Sequence, residues 1–97
     1  MDRVSLYDDI ALRVGTRLCA AEKRSDEIEV NIAEMKLLRE QVNQTRWYQQ
    51  GKRDRLMQRY RELYSENAEL FRLNAAAIHL NSIDLNTLSR VKVTRDG

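Results

Sequence analysis

The feature that most constrains this chain is a heptad repeat. Residues spaced alternately three and four positions apart trace one unbroken phase from Val4 to Asp84, and most of them are apolar. Such a repeat is typical of helices that pack against other helices. When Val4 is assigned heptad position a, the inner positions a and d are mostly apolar toward both ends, but the a positions in the middle hold Arg39, Arg46 and Arg53. The sequence therefore predicts an all-α protein and does not identify a biological process.

The composition favours a narrow seam between helices and disfavours a broad globular core. The chain has 97 residues, of which 33% are charged and only 6% are aromatic, and it has no proline and three glycines. Proline and glycine are the residues that most disfavour a helix interior, so almost nothing interrupts helix formation. A single helical domain over residues 1–97 is the expected organisation.

Two architectures fit the repeat. In the first, two long amphipathic helices form a coiled-coil hairpin or bundle with a turn near Gly51, and Met35 faces Asn67 across the seam. Its predicted segments are helix one at about 5–47, the turn at about 48–53, helix two at about 54–85 and an irregular tail at 86–97. In the alternative, one continuous coiled-coil helix preserves the phase throughout, and Gly51 costs about 1 kcal/mol.

The first helix is predicted to self-associate. Its apolar stripe is opposite a face rich in glutamate, lysine and arginine, as in a coiled coil. Oppositely charged residues five apart, such as Arg17 and Glu22, fit parallel pairing between two copies. The pairs Arg3 with Asp8 and Arg24 with Glu29 have the same spacing. The predicted self-association residues are Val14, Leu18, Ile28, Ile32, Met35 and Val42.

The middle of the chain and the second helix are predicted to bind a protein partner. Burying arginines against each other is costly, so the central arginines are expected to face a turn or an acidic partner. Tryptophan, tyrosine and arginine dominate binding energy at interfaces. The second helix has a wider apolar face, which favours contact with more than one helix, and Asn67, Asn74 and Asn81 are expected at its polar margin. The predicted partner-binding residues are Arg39, Arg46, Trp47, Tyr48, Arg53, Leu63, Leu70, Phe71, Leu73, Ile78 and Leu80.

Residues that could support enzyme chemistry are sparse. His79 is alone, and Cys19 has no neighbouring histidine in the sequence to activate it. No phosphate-binding glycine loop and no paired-cysteine motif is present. We therefore expect no catalytic site, no metal and no cofactor. No apolar run approaches the roughly 20 residues that span a bilayer, and a single cysteine fits a reducing compartment, so a cytoplasmic, intracellular location is expected.

These patterns predict a non-enzymatic coiled-coil interaction protein. It would be a self-associating adaptor, chaperone or structural subunit that docks helices of a larger assembly, as a homo- or hetero-oligomer.

An alternative is nucleic-acid binding through the basic segment 46–61. Arginines and lysines precede leucines at seven-residue spacing, and Leu56 follows Arg46 by ten positions. This arrangement resembles a basic leucine zipper. That family has an asparagine eight positions before the arginine, where this chain has Leu38. The resemblance implies phosphate contact by the basic segment more than base readout.

Overall fold

The computed structural model describes the backbone of residues 3–96 and the side chains of residues 6–90. Two helices, α1 (Arg3–Gln44) and α2 (Gln50–Asp96), pack against each other as an all-α hairpin. The predicted hairpin is therefore confirmed, and the continuous helix is wrong because the helix breaks at residues 45–49. The seam position of Val4 and the side-chain pairing of Arg3 with Asp8 lie outside the described side chains.

Contacts divide the chain into two units. The turn unit is Arg24–Arg72, and the terminal unit combines Met1–Lys23 with Leu73–Gly97. Each unit contains a segment of both helices, and each has its own cross-helix contacts.

The turn is built by side chains that satisfy the ends of both helices. Thr45 donates to the Val42 carbonyl through its backbone N–H at 3.1 Å and its hydroxyl at 2.6 Å. The Gln49 N–H donates to the Arg46 carbonyl at 2.9 Å, while the Gln49 side chain accepts the Arg46 N–H at 3.0 Å. The Gln49 carbonyl then accepts the Arg53 N–H at 3.0 Å, which begins α2. Free helix-end groups thus find partners within the turn itself.

Gly51 lies inside α2 and not in the turn, so the predicted turn at 48–53 is wrong by a few residues. Within the described backbone no glycine has a positive φ, and a Cβ built at Gly51 meets no atom within 4 Å. The chain reverses where Thr45 and Gln49 provide hydrogen bonds, and this does not require glycine's conformational freedom.

The predicted irregular tail is also wrong, because α2 continues to Asp96. Residues 86–96 contain neither proline nor glycine, so nothing in this segment stops the helix. The Thr87 hydroxyl donates to the Ile83 carbonyl at 3.1 Å, a side-chain bond that is compatible with helix.

The seam of α1 is rotated relative to the predicted one. In α2 the buried residues occupy positions a and d, as at Leu63 and Asn67 in the turn unit and at Ala77 and Asn81 in the terminal unit. In α1 the buried residues occupy positions d and g instead of a and d. They are Ile10 and Val14 in the terminal unit and Ile28, Asn31, Leu38 and Val42 in the turn unit. The a positions of α1 therefore face solvent.

A buried pair of asparagines joins the helices of the turn unit. The Asn31 amide donates to the Asn67 side-chain oxygen at 2.8 Å, and the Asn67 amide donates to the Ile28 carbonyl at 3.5 Å. The Asn67 partner is thus one helical turn earlier than the predicted Met35, because the chain reverses before Gly51. Asn67 is buried and does not lie at a polar margin.

The terminal unit has a polar cluster of its own. Arg17 donates to the Asp84 carboxylate and, at 3.3 Å, to the Asn81 side-chain oxygen. Arg13 lies 3.7 Å from the Asp84 carboxylate, and the Asn74 amide donates to the Ala21 carbonyl at 3.4 Å. Arg17 is therefore engaged within the chain, whereas its predicted pairing with Glu22 of another copy stays a prediction.

The helical environment of the glycines makes a stability prediction. Gly15→Ala and Gly51→Ala should each stabilise the protein by about 0.5–1 kcal/mol, because alanine restricts the unfolded chain and both sites have room for a Cβ. Urea unfolding followed by circular dichroism measures the change. A loss of stability in Gly51→Ala would show that the chain turns at this residue.

Candidate helix-docking site

The turn unit has an apolar groove on its surface. Ile32 and Met35 of α1 line one side, and Tyr64, Ala68 and Phe71 of α2 line the other, with Asn67 at the base. The volume of the groove is about 340 Å³, and its lining is mostly apolar. Tyr64 and Phe71 are 65% and 58% exposed. An apolar patch that contains two exposed aromatic rings is typical of an interaction surface.

The groove exists because α2 has a second apolar stripe. Its seam with α1 uses positions a and d, whereas Tyr64 and Phe71 occupy position e, one step around the helix. Ala68 lies between them at position b. The spacings of four and three residues from Tyr64 to Ala68 and from Ala68 to Phe71 are those of a coiled-coil seam. The turn unit therefore carries one seam that is filled by α1 and a second that is open.

The rotation of α1 supplies the other side of the groove. Because its seam uses positions d and g, the a-position residue Ile32 is displaced from the hairpin core and lies beside the Tyr64 stripe. The same rotation exposes Arg39, so this guanidinium stays in water. Solvating the arginine avoids a large desolvation cost, at the expense of an exposed isoleucine.

Two ion pairs of the turn unit shift pKa values among the side chains that form them. The Arg72 guanidinium donates to the Glu69 carboxylate at 2.6 and 2.9 Å; this hydrogen bonding lowers the pKa of Glu69 and raises that of Arg72. The Arg59 guanidinium donates to Glu34 across the helices at 3.1 and 3.3 Å, and this bond is the main reason that the pKa of Arg59 is raised. All four side chains are exposed or half-exposed, so these pairs orient charge more than they stabilise the fold.

The turn presents a second candidate surface. Trp47 is 89% exposed, and its ring meets Tyr48 edge to face with centroids 5.7 Å apart. Arg46 precedes this pair, and Arg53 lies in the first turn of α2; both are exposed. The hydrogen bonds of the turn hold the backbone that carries the two rings.

The structure divides the predicted self-association residues between the hairpin core and the surface. Val14, Ile28 and Val42 are buried in the hairpin, and Met35 is half-buried at the groove. Leu18 and Ile32 are exposed. Contacts within the chain thus occupy the first group, and the second remains accessible.

The predicted partner-binding residues are likewise separated. Leu63 is fully buried, Leu70 and Leu73 are half-buried, and Phe71 is exposed in the groove. In the terminal unit Ile78 and Leu80 are exposed. Of the predicted set the groove contains Phe71 alone, whereas Arg46, Trp47 and Tyr48 lie together at the turn.

Tyr64 and Ala68 line the groove, but neither is among the predicted partner-binding or self-association residues. A signal for them is present, because Tyr64 precedes Phe71 by one heptad and Ala68 lies between them. This signal becomes informative once the first seam is known to be occupied by α1.

The residues considered above for metal and thiol chemistry can be located in the described part of the chain. Among these residues no cluster of histidine, cysteine and carboxylate side chains could hold a metal ion. Cys19 is exposed, and His79 is exposed on α2. None of the described helices combines the length and apolar character needed to cross a membrane.

The chain matches no protein-family model, no curated protein and no solved structure. The geometry of its own residues is therefore the basis for any functional conclusion.

Proposed function

We propose that the chain is a non-enzymatic coiled-coil interaction protein, which acts as a self-associating adaptor, chaperone or structural subunit by docking helices of a larger assembly. The observation that carries this proposal is the open seam of the turn unit, where Tyr64 and Phe71 are exposed at heptad spacing beside Ile32. An amphipathic helix laid in this groove would cover both rings, as in other helix-in-groove complexes.

The energetics of the hairpin support the same proposal. Among the described side chains, Ile10 and Leu63 are the only large ones that are fully buried. Three buried asparagines, Asn31, Asn67 and Asn81, occupy seam positions. A seam of this kind buries little apolar area per residue, so the isolated chain should be marginally stable. A docked helix would add the apolar burial that the hairpin alone lacks.

The first test uses the groove and a matched control in the same unit. Tyr64→Glu with Phe71→Glu should abolish co-purification of the proteins that dock at the groove, including a differently tagged second copy of this chain, from the native host, because docking a helix would bury two carboxylates without partners. The control is Val30→Glu with Leu37→Glu, since these residues are 66% and 60% exposed but do not line the groove. Quantitative mass spectrometry of the captured proteins measures the difference. Equal partner recovery from both variants would contradict docking at the groove.

A second candidate function, nucleic-acid binding, is favoured by the turn. Arg46, Trp47 and Tyr48 are adjacent and exposed, and Lys52, Arg53 and Arg55 follow at the start of α2. Base stacking on an aromatic ring together with phosphate contact by arginine is a general mode of single-strand binding. A zipper-type recognition helix is not available, because the break at residues 45–49 separates Leu38 from Leu56.

Trp47 provides a direct test of this alternative because it is the single tryptophan of the chain. We expect its fluorescence to be unchanged by short single-stranded or duplex DNA at low and moderate salt, as docking of helices at the groove leaves the turn uninvolved. Saturable quenching that weakens by orders of magnitude with salt would favour nucleic-acid binding instead. Trp47→Phe with a reporter dye on Cys19 is the control for nonspecific quenching.

A further inference from the structure

We propose that the occupant of the groove is a second copy of this chain, whose α2 helix lies antiparallel to α2 of the first copy across a two-fold axis at the level of Glu66. This inference rests on the proposed helix-docking function and adds the identity and orientation of the partner helix.

The sizes of the side chains along the open stripe favour a second copy as the occupant. Within the turn unit this stripe reads Met57, Arg61, Tyr64, Ala68 and Phe71, with spacings that alternate between four and three residues. Ala68 is the one small residue among these five, and it lies between the two aromatic residues Tyr64 and Phe71. A helix that fills such a seam well should present small residues opposite large ones. The same stripe in a second copy has this property only in one orientation.

The same stripe packs poorly against a second copy in parallel orientation. In a parallel, in-register pair the two copies of Tyr64 would face each other, as would the two copies of Ala68 and of Arg61. The layer with two facing Tyr64 rings would be crowded, and the layer with two facing Ala68 side chains would leave an empty space. The facing arginines would also repel each other.

The antiparallel arrangement removes both problems. With the axis at the level of Glu66, Tyr64 of each copy faces Ala68 of the other, and Arg61 of each copy faces Phe71 of the other. Each ring then has a small residue or a planar cation opposite it. A guanidinium over an aromatic face is favourable by a cation–π interaction. An isologous contact of this kind closes after two copies.

The area is sufficient for a weak dimer. The exposed parts of Tyr64 and Phe71 amount to roughly 250 Å² per copy, or roughly 500 Å² for the pair. Ile32 and Met35 of both copies line the same groove and add to this area. Stable specific interfaces begin at about 1,200 Å² in total, so a smaller interface of this kind is expected to be weak and reversible.

The oligomeric state of the full chain tests the inference. Sedimentation equilibrium between about 1 and about 100 µM should show a monomer–dimer equilibrium. Tyr64→Glu with Phe71→Glu should leave the chain monomeric throughout this range, while Val30→Glu with Leu37→Glu should dimerise like the parent. Circular dichroism confirms that all variants are helical. A parent chain that stays monomeric, or a dimer that the groove variant retains, overturns the inference.

A substitution at Ala68 distinguishes a specifically packed dimer from nonspecific hydrophobic association. Ala68→Trp should weaken dimerisation at least about tenfold, because the indole occupies the space of the facing Tyr64 ring. If the surface were merely adhesive, the added apolar area would strengthen association, and that result would overturn the inference.

Spin labels determine the orientation. In a Cys19→Ser background, single labels at Ser65→Cys should lie within about 15 Å of each other in the dimer, whereas labels at Gln58→Cys should be roughly 25 Å or more apart. Short distances at both sites indicate parallel helices and overturn the antiparallel arrangement. A monomeric chain whose groove variant still loses host partners would reject the second copy while keeping the proposed docking function.

Discussion

The hydrogen bond between Asn31 and Asn67 determines how the two helices of the turn unit face each other. Both amides are buried, and among the described side chains no buried polar atom lacks a partner. An amide buried without its partner costs about 1–3 kcal/mol, so registers that separate these residues are disfavoured. A buried asparagine pair thus adds little apolar stability but selects one alignment, as a-position asparagines do in coiled coils.

This alignment explains the rotation of α1. Asn31 occupies position g, and bringing it to α2 turns the d and g positions inward and the a positions outward. Arg39 is thereby solvated, and the central arginines do not obstruct the fold. Ile32 is also turned outward, where with Tyr64 and Phe71 it forms the apolar groove. The interaction that specifies the hairpin therefore also creates the surface proposed to dock another helix.

Much of the fold is predictable from the heptad repeat, but the details that create the groove are not. The period and the lack of helix breakers predict two long helices, and these are present. Glycine is the usual turn signal and predicts a turn near Gly51, whereas Thr45 and Gln49 form the turn through hydrogen bonds that depend on the turn conformation itself. The seam of α1 was expected at positions a and d. Its actual position depends on polar residues finding partners far away in the sequence, and spacing alone does not identify those partners.

The most direct test of this account is a double-mutant cycle on Asn31→Ala and Asn67→Ala, measured by urea unfolding at one fixed, low protein concentration. Each single substitution should cost about 1–3 kcal/mol, and the double variant should cost less than their sum by at least about 1 kcal/mol. Asn81, which bonds Arg17, serves as the control partner and should be additive with Asn31. If Asn31 and Asn67 are also additive to within about 0.5 kcal/mol, the hydrogen bond does not set the register, and the account is contradicted.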